Sequence, residues 1–351
     1  TDIAREADVS VAMVYSLLKG TYYGNGQRKG IGISPKTRTR IIDACRKLNY
    51  QPEDISVMTR IYPESGDYAF LMSNQILDGI SNPYFAPMLQ GASARLDSPA
   101  WHISLASFDS SIDYLSHPDQ LPHCVTTGTA TKFMMVGPPN YSLILTLLQK
   151  GNVAVYLSRK VNIEGVVSVV PDYRKASTLS LKHLQSLGHT HIAVCAKSYF
   201  KEDEFNTQEH QKGIEDSIRR FKLPEKTAQI VFQEEKDSEH RPDSLVRQLL
   251  ERRPKPTAIF CLDDWTAAGI ISSLQSLNIS VPEDVSVVGC GNHRNFLTPH
   301  PTLTTIDIPK EEIGNQAMMI LQGAFDRSPS SPLQDITLPV KLIRRESTSV
   351  V

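Results

Sequence analysis

Past residue 67, short apolar runs alternate with stretches whose apolar positions recur every three to four residues. Residues 68–72, 102–106, 133–136, 153–157, 167–170, 191–196, 258–262 and 285–289 have the length and apolar content of buried strands. Residues 87–96, 142–150, 176–187, 211–221 and 264–277 repeat as amphipathic helices between them. Strand–helix alternation predicts parallel sheets covered on both faces. With about 280 residues and two successive sets of strands, the pattern predicts two doubly wound lobes.

The first fifty residues carry a different pattern, three short helices and no strand run. Ile3, Ala4 and Ala7 share one face of the first. The second follows Ser10, whose hydroxyl can accept a free backbone N–H. It buries Val14, Leu17 and Leu18, at i, i+3 and i+4, and stops at Gly20. Ser34 and Pro35 open the third, a capping residue followed by proline at the first helical position. Ile41, Ile42, Cys45 and Leu48 are expected inside it, with Arg38, Arg46 and Lys47 in solvent. Only Asp8, Val9 and Ser10 join the first two helices, so they must cross sharply, as in a helix-turn-helix unit.

Charge sharpens this division. Residues 1–60 hold ten Lys/Arg and six Asp/Glu, a balance of +4, which leaves −5 on the rest of a chain whose net charge is −1. A basic head on an acidic body suits a polyanion met by one end only. The five cysteines, Cys45, Cys124, Cys195, Cys261 and Cys290, form no CxxC pair, which argues for apolar core roles in a reducing, cytoplasmic setting. No apolar run approaches the ~18–20 residues of a membrane span, so no membrane partner is expected. The opening residues lack a signal-peptide pattern, and a chain starting at Thr1 without Met is expected to be trimmed.

At the level of motifs the chain resembles the lac-repressor/galactose-repressor family. The head carries the resemblance in the run from Asp2 to Ser10, in Val14, Leu17, Leu18 and Gly20, in Ser34-Pro35-Lys36-Thr37-Arg38, and in Leu48-Asn49-Tyr50-Gln51-Pro52. The body carries it in Ser81-Asn82-Pro83-Tyr84-Phe85, in Leu187-Gly188-His189-Thr190-His191, in the stretches 256–264 and 281–289, and in Leu303-Thr304-Thr305-Ile306 and Arg344-Arg345-Glu346-Ser347-Thr348. The resemblance implies an α/β protein: an all-α helix-turn-helix head at 1–50, a hinge linker at 51–66, and two doubly wound parallel-sheet lobes of the type I periplasmic-binding-protein kind at 67–351. The N-lobe would comprise 67–172 and 308–337, the C-lobe 173–307 and 338–351, with crossovers near Tyr173, Asp307 and Leu338. It further implies a homodimer whose heads meet two halves of a double-stranded operator.

Carried over by position, the DNA-contacting residues would be Ser10, Val11, Ala12, Tyr15, Ser16 and Lys19, at the start of and along a second helix lying in the major groove, with Thr37 at the start of the third. Met13 and Tyr15 stand where the family usually has Thr and Ser. The segment 21–33 is longer than usual, and its Arg28 and Lys29 either track the phosphate backbone or belong to a solvated loop. In the linker, Glu53, Asp54 and Thr59 depart from the family pattern. Either Met58 or Ile61 replaces the family's minor-groove wedge, or the linker contributes little bending.

A ligand would sit between the lobes, at the C-terminal ends of the strands. Its wall would include Tyr84, Phe85, Asp109, Arg159, Tyr173, His210, Asp263, Trp265 and Asn292. Carboxylates, an arginine and an aromatic face suit a carbohydrate effector, with Trp265 as the stacking face. Asp264 is expected to cap the following helix, leaving Asp263 for the ligand. His210 stands where the family commonly has Arg, Asp263 where it has Asn, and Gly291 where it has Asp. His210 either titrates near neutral pH or is a solvated residue at a helix end.

Enzymatic readings lack a motif: no GxxxxGK[ST], no GxGxxG after the first strand, no GxSxG. His189 and His191 resemble a metal pair but read as structural, so neither metal nor cofactor is expected. The readings left beside a ligand-controlled regulator are a solute-binding protein, an enzyme on the same lobes, and a regulator that has lost ligand control.

Overall fold

A computed structural model describes residues 2–19, 22–23, 31–48, 50, 67–76, 78–96, 102–201, 204–225, 229–233, 242–293, 301–323 and 334–351. The head forms three helices, α1 (Asp2–Glu6), α2 (Val11–Lys19) and α3 (Pro35–Lys47), with two-residue strands β1 (Tyr22–Tyr23) and β2 (Ile31–Gly32) pairing between the last two. Their shared core is Ile3, Ala4, Ala7, Val14, Leu17, Ile33, Ile41, Ala44 and Cys45. Ser10 Oγ accepts the Met13 N–H at 3.2 Å and Ser34 Oγ accepts that of Thr37 at 3.1 Å, so both expected caps form. Leu48 differs from expectation: α3 ends at Lys47, and Leu48, just past it, is exposed rather than inward.

Arg40 fastens the turn between the first two helices. Its guanidinium donates to the Ala7 carbonyl, to the Asp8 carbonyl at 2.6 Å and to Asp8 Oδ2 at 3.4 Å, meeting acceptors that the end of α1 leaves over. Asp8 is held there at φ 49°. Arg40→Ala is expected to cost the head about 1–2 kcal/mol, read as a lower melting midpoint for the head alone while the body's transition stays put.

The body consists of two six-stranded sheets. The first runs β13-β7-β6-β5-β3-β4, built from β3 (Asp67–Ser73), β4 (Ile103–Phe108), β5 (Ala130–Val136), β6 (Val153–Leu157), β7 (Val166–Pro171) and β13 (Ile336–Leu338), all parallel. The second runs β14-β12-β11-β10-β8-β9, from β8 (Ile192–Ala196), β9 (Ile230–Phe232), β10 (Ala258–Cys261), β11 (Ser286–Gly291), β12 (Thr304–Asp307) and β14 (Lys341–Ile343). Only β14 is antiparallel there. Central strands such as β7, β8 and β11 are buried at every position, as parallel strands covered by helices on both faces must be.

Eight of these strands coincide with the apolar runs of the sequence. β9, β12, β13 and β14 do not: β9, β13 and β14 are three residues long, too short for a recognisable run, and β12 has only one apolar residue, Ile306. The chain passes between sheets after β7, after β12 and after β13. The first passage leads into α7 (Tyr173–Ser186), whose start is capped by Asp172 accepting the Lys175 N–H at 2.8 Å. The second leads into α11 (Lys310–Gly323), which packs on the first lobe against β5, β6, β7 and α4 (Ala86–Ser93). Helices α4 and α11 touch through glycines: a Cβ on Gly91 would strike the Glu311 carbonyl, and one on Gly314 the Met88 carbonyl.

His189 pins the chain's last residues to the second lobe. Its Nδ1 pairs with Thr257 Oγ1 at 3.0 Å, and its Nε2 with Ser286 Oγ at 3.1 Å and the Ser349 carbonyl at 3.0 Å. That is the structural role expected of His189. All five cysteines are free and buried, and burial pushes the Cys195 thiol up to about 12. None of the described helices is long and apolar enough to cross a membrane.

Candidate functional site

On the head, α2 turns Val11, Ala12 and Tyr15 outward, with Val11 52% and Tyr15 63% exposed. Ser10 is exposed while its hydroxyl caps the helix. Ser16 is a correction. It is 6% exposed and faces inward, and the two short strands of the 21–33 segment lie against this helix. Thr37 is half-buried and hydrogen-bonded to Ser34 Oγ at 2.8 Å. The Lys19 side chain, Arg28, Lys29 and Met58 lie outside what the structure describes.

At the C-terminal ends of the strands, the loop after β3 brings Tyr84 against residues that follow β6 and β7. The Tyr84 hydroxyl bonds Ser158 Oγ and lies 3.0 Å from the Tyr173 hydroxyl, while Ser158 Oγ and the Tyr173 hydroxyl are 2.9 Å apart. Ser158 is buried at φ 67°, and its carbonyl accepts from Tyr173 at 3.1 Å and from Asn206 Nδ2 at 3.4 Å. Phe85 stands edge-on to Tyr84 with ring centroids 5.1 Å apart. Arg159 follows Ser158 and is half-buried.

Three expectations for this region need correction. His210 is neither solvated nor at a helix end. It lies within α8 (Glu204–Phe221), fully buried, its Nδ1 2.9 Å from Ser177 Oγ and its ring packed on Tyr173, Phe200 and Phe260. Burial pushes its pKa down to about 3, so it stays neutral at physiological pH. The two aspartates exchange roles. Asp263, in extended geometry ahead of α10 (Asp264–Ser276), caps it by accepting the Thr266 N–H and hydroxyl, both at 2.7 Å. Asp264 turns inward instead, accepting from Thr305 Oγ1 at 2.5 Å and from the His293 N–H at 2.8 Å. Burial raises its pKa to about 6 despite those bonds. Asn292, expected on the ligand wall, spends its side chain within the lobe: Nδ2 donates to Asp307 at 2.8 Å and Oδ1 accepts from Arg345 at 2.6 Å.

Asp109 shapes its own loop, accepting the Ser111 N–H at 2.8 Å and the Ser111 hydroxyl at 2.5 Å, bonds that hold its pKa below the usual value. Trp265 is half-buried beside the Asp263 cap, with the Lys197 ammonium 5.9 Å from its ring centroid. Besides Ser158 and Asn206, two further residues that sequence reasoning missed complete the region. His293 lies 5.9 Å from the Tyr84 ring, hydrogen-bonds the Pro83 carbonyl and is pushed down by burial to about 3. Lys310, buried on the first turn of α11, donates to the Gly291 carbonyl and to that of Ile308 at 3.4 Å. A lysine just after the Leu303–Ile306 motif was the available signal.

Residues 181–348 match the family model of a periplasmic binding protein-like domain. In fold, the chain superposes on a LacI family transcriptional regulator from Enterococcus faecium solved with ribose (TM-score 0.67, 24% identity, 81% of this chain and 99% of that one). It superposes also on the lac repressor dimer bound to operator and the anti-inducer ONPF (TM-score 0.64, 19% identity, 99% and 98%). Head and body together are 26% identical to catabolite control protein A of Priestia megaterium, over 99% of this chain and 98% of that protein. Over nearly its whole length the chain is similar to regulators of the lac-repressor/galactose-repressor family. The exposed face of α2 and the polar strand ends between the lobes are the two candidate functional surfaces.

Proposed function

We propose that the chain is a homodimeric cytoplasmic regulator, without catalytic activity, whose grip on a double-stranded operator is set by a small carbohydrate between its lobes. The observation that carries this is the pairing of an outward α2 face, Val11, Ala12 and Tyr15, with a two-lobed body whose polar strand ends converge. The head would span 1–50, the hinge 51–66 and the body 67–351. Val11 and Ala12 suit apolar contact with thymine methyls, and Ser10, Lys19 and Thr37 suit phosphates. In the body, Tyr84, Phe85, Arg159, Tyr173 and Trp265 would face the effector. The ribose held by the Enterococcus relative supports the effector class, and the operator held by the lac repressor supports the DNA partner.

The purified chain is expected to retard DNA from its own promoter region, with log affinity falling linearly as log salt rises. Tyr15→Ala should weaken that binding about tenfold or more without changing the melting midpoint, since the side chain is exposed. Salt-independent retardation, or none across a genomic fragment library, contradicts the proposal. A thermal-shift screen of mono- and oligosaccharides then finds the effector, because a ligand at ~100 times its Kd adds about 2.7 kcal/mol of stability.

A further inference from the structure

The two lobes are joined, at the place where an effector would lie, by the chain's own side chains at four separate points. The Tyr84 hydroxyl, on the loop after β3 of the first lobe, meets that of Tyr173, the first residue of the second lobe's α7, at 3.0 Å. Asn206 on α8 of the second lobe reaches the Ser158 carbonyl of the first. His293, just past β11 of the second lobe, bonds the Pro83 carbonyl and packs beside the Tyr84 ring. Lys310, on a helix of the first lobe, places its ammonium on the Gly291 carbonyl at the end of β11.

These contacts differ from ordinary crossover packing in their chemistry. A buried lysine is costly unless its protons are bonded, and Lys310 meets two backbone carbonyls with Asp264 and Asp307 nearby to balance its charge. Gly291, at φ 139°, has no room for a side chain, because a Cβ there would press on the His293 ring. The position thus offers a bare carbonyl to the lysine. The Tyr84–Ser158–Tyr173 cluster satisfies its hydroxyls mutually, bonds that sugar hydroxyls would otherwise make.

We propose that these contacts form an internal latch: the body closes on its own side chains, and an effector enters only by taking the place of the Tyr84 hydroxyl on Ser158 and Tyr173. This rests on the reading of the interlobe region as the effector site. The entering group is a hydroxyl, since each bond it replaces is hydroxyl to hydroxyl. The latch needs no ligand to hold, so closure and effector binding compete instead of reinforcing one another.

Amide exchange on the full chain, with no ligand added, tests this by comparing the natural sequence with Tyr84→Phe, which keeps the ring, and Lys310→Met, which keeps most of the volume. A latch predicts that either substitution speeds exchange by roughly fivefold or more on both sides of the gap, at 81–85 and 156–160 in one lobe and at 173–177 and 290–293 in the other. Should one variant fail to fold, the other carries the same prediction. Faster exchange confined to the substituted lobe, or no change, overturns the latch. Operator retardation by the natural sequence is measured alongside. Its loss with two-lobed exchange intact sinks the regulator reading alone, while retardation with one-lobed exchange sinks the latch alone.

Discussion

Moving from pH 7 to pH 5 is expected to cost the body on the order of 4 kcal/mol of stability, from histidines that the fold keeps neutral. Burial pushes His210 and His293 down to about 3 and His183 to about 4, and lowers His189 as well. In the unfolded chain each titrates near ~6.5. The stabilisation from His210, His293 and His183 is therefore complete above that value and is lost as pH falls toward 3–4, because the unfolded state takes up protons that the fold refuses, and His189 acts in the same direction. Each group contributes roughly 1.4 kcal/mol per pH unit through that window. Asp264 works the other way. Its folded pKa of about 6 lies above the unfolded value, so its contribution is present at acid pH and lost as pH rises through 6. It offsets about one histidine, and Asp263, also raised by burial, offsets part of another. Urea midpoints at the two pH values check the sum. His210→Phe should remove about 2 kcal/mol of the pH dependence, and a midpoint equal at both pH values would refute the account.

Gly314→Ala is expected to lower the body's melting temperature by roughly 6–12 °C, the equivalent of about 3 kcal/mol. The added methyl has only the Met88 carbonyl to enter, and backbone cannot yield as a side chain would. Helix α11 must lift from α4, and because Lys310 begins that helix, its ammonium would leave Gly291 as well. Gly323→Ala, at the end of the same helix with open space around the new methyl, is the control and should leave the midpoint unchanged or slightly raised. Equal effects at the two positions would mean that helix propensity, not the α4–α11 contact, sets the outcome.

The architecture was legible because its signals are redundant. Parallel strands buried on both faces leave unbroken apolar runs, and helices between them leave a period near 3.6, so eight strands emerge from the pattern alone. The edge strands β9, β13 and β14 could not be read that way, since three residues carry too little hydrophobic signal and are placed by their neighbours. The head's caps were legible because capping is local chemistry, set by Ser10 and Ser34 within three residues.

The site was less legible, and Asp263 and Asp264 show why. Which of two adjacent carboxylates caps a helix depends on where the strand before it ends, a matter of one residue that sequence does not resolve. His210 was misjudged for a related reason. Its neighbours on α8 are polar, but the rings that bury it come from residues 173, 200 and 260. Lys310 escaped notice because a lysine in sequence reads as surface until two carbonyls are found around it.

The order in which the sheets are assembled has a consequence for synthesis. Each sheet is completed by a strand from the far end of the chain, β13 at 336–338 for the first and β14 at 341–343 for the second. A ribosome that has made the chain through β12 has thus finished the head, which has a core of its own, but neither lobe. During that interval β7 and β12 present bare edges, the kind of surface that recruits chaperones or other nascent chains. A head with a core of its own consequently folds in the cell before either lobe behind it is complete.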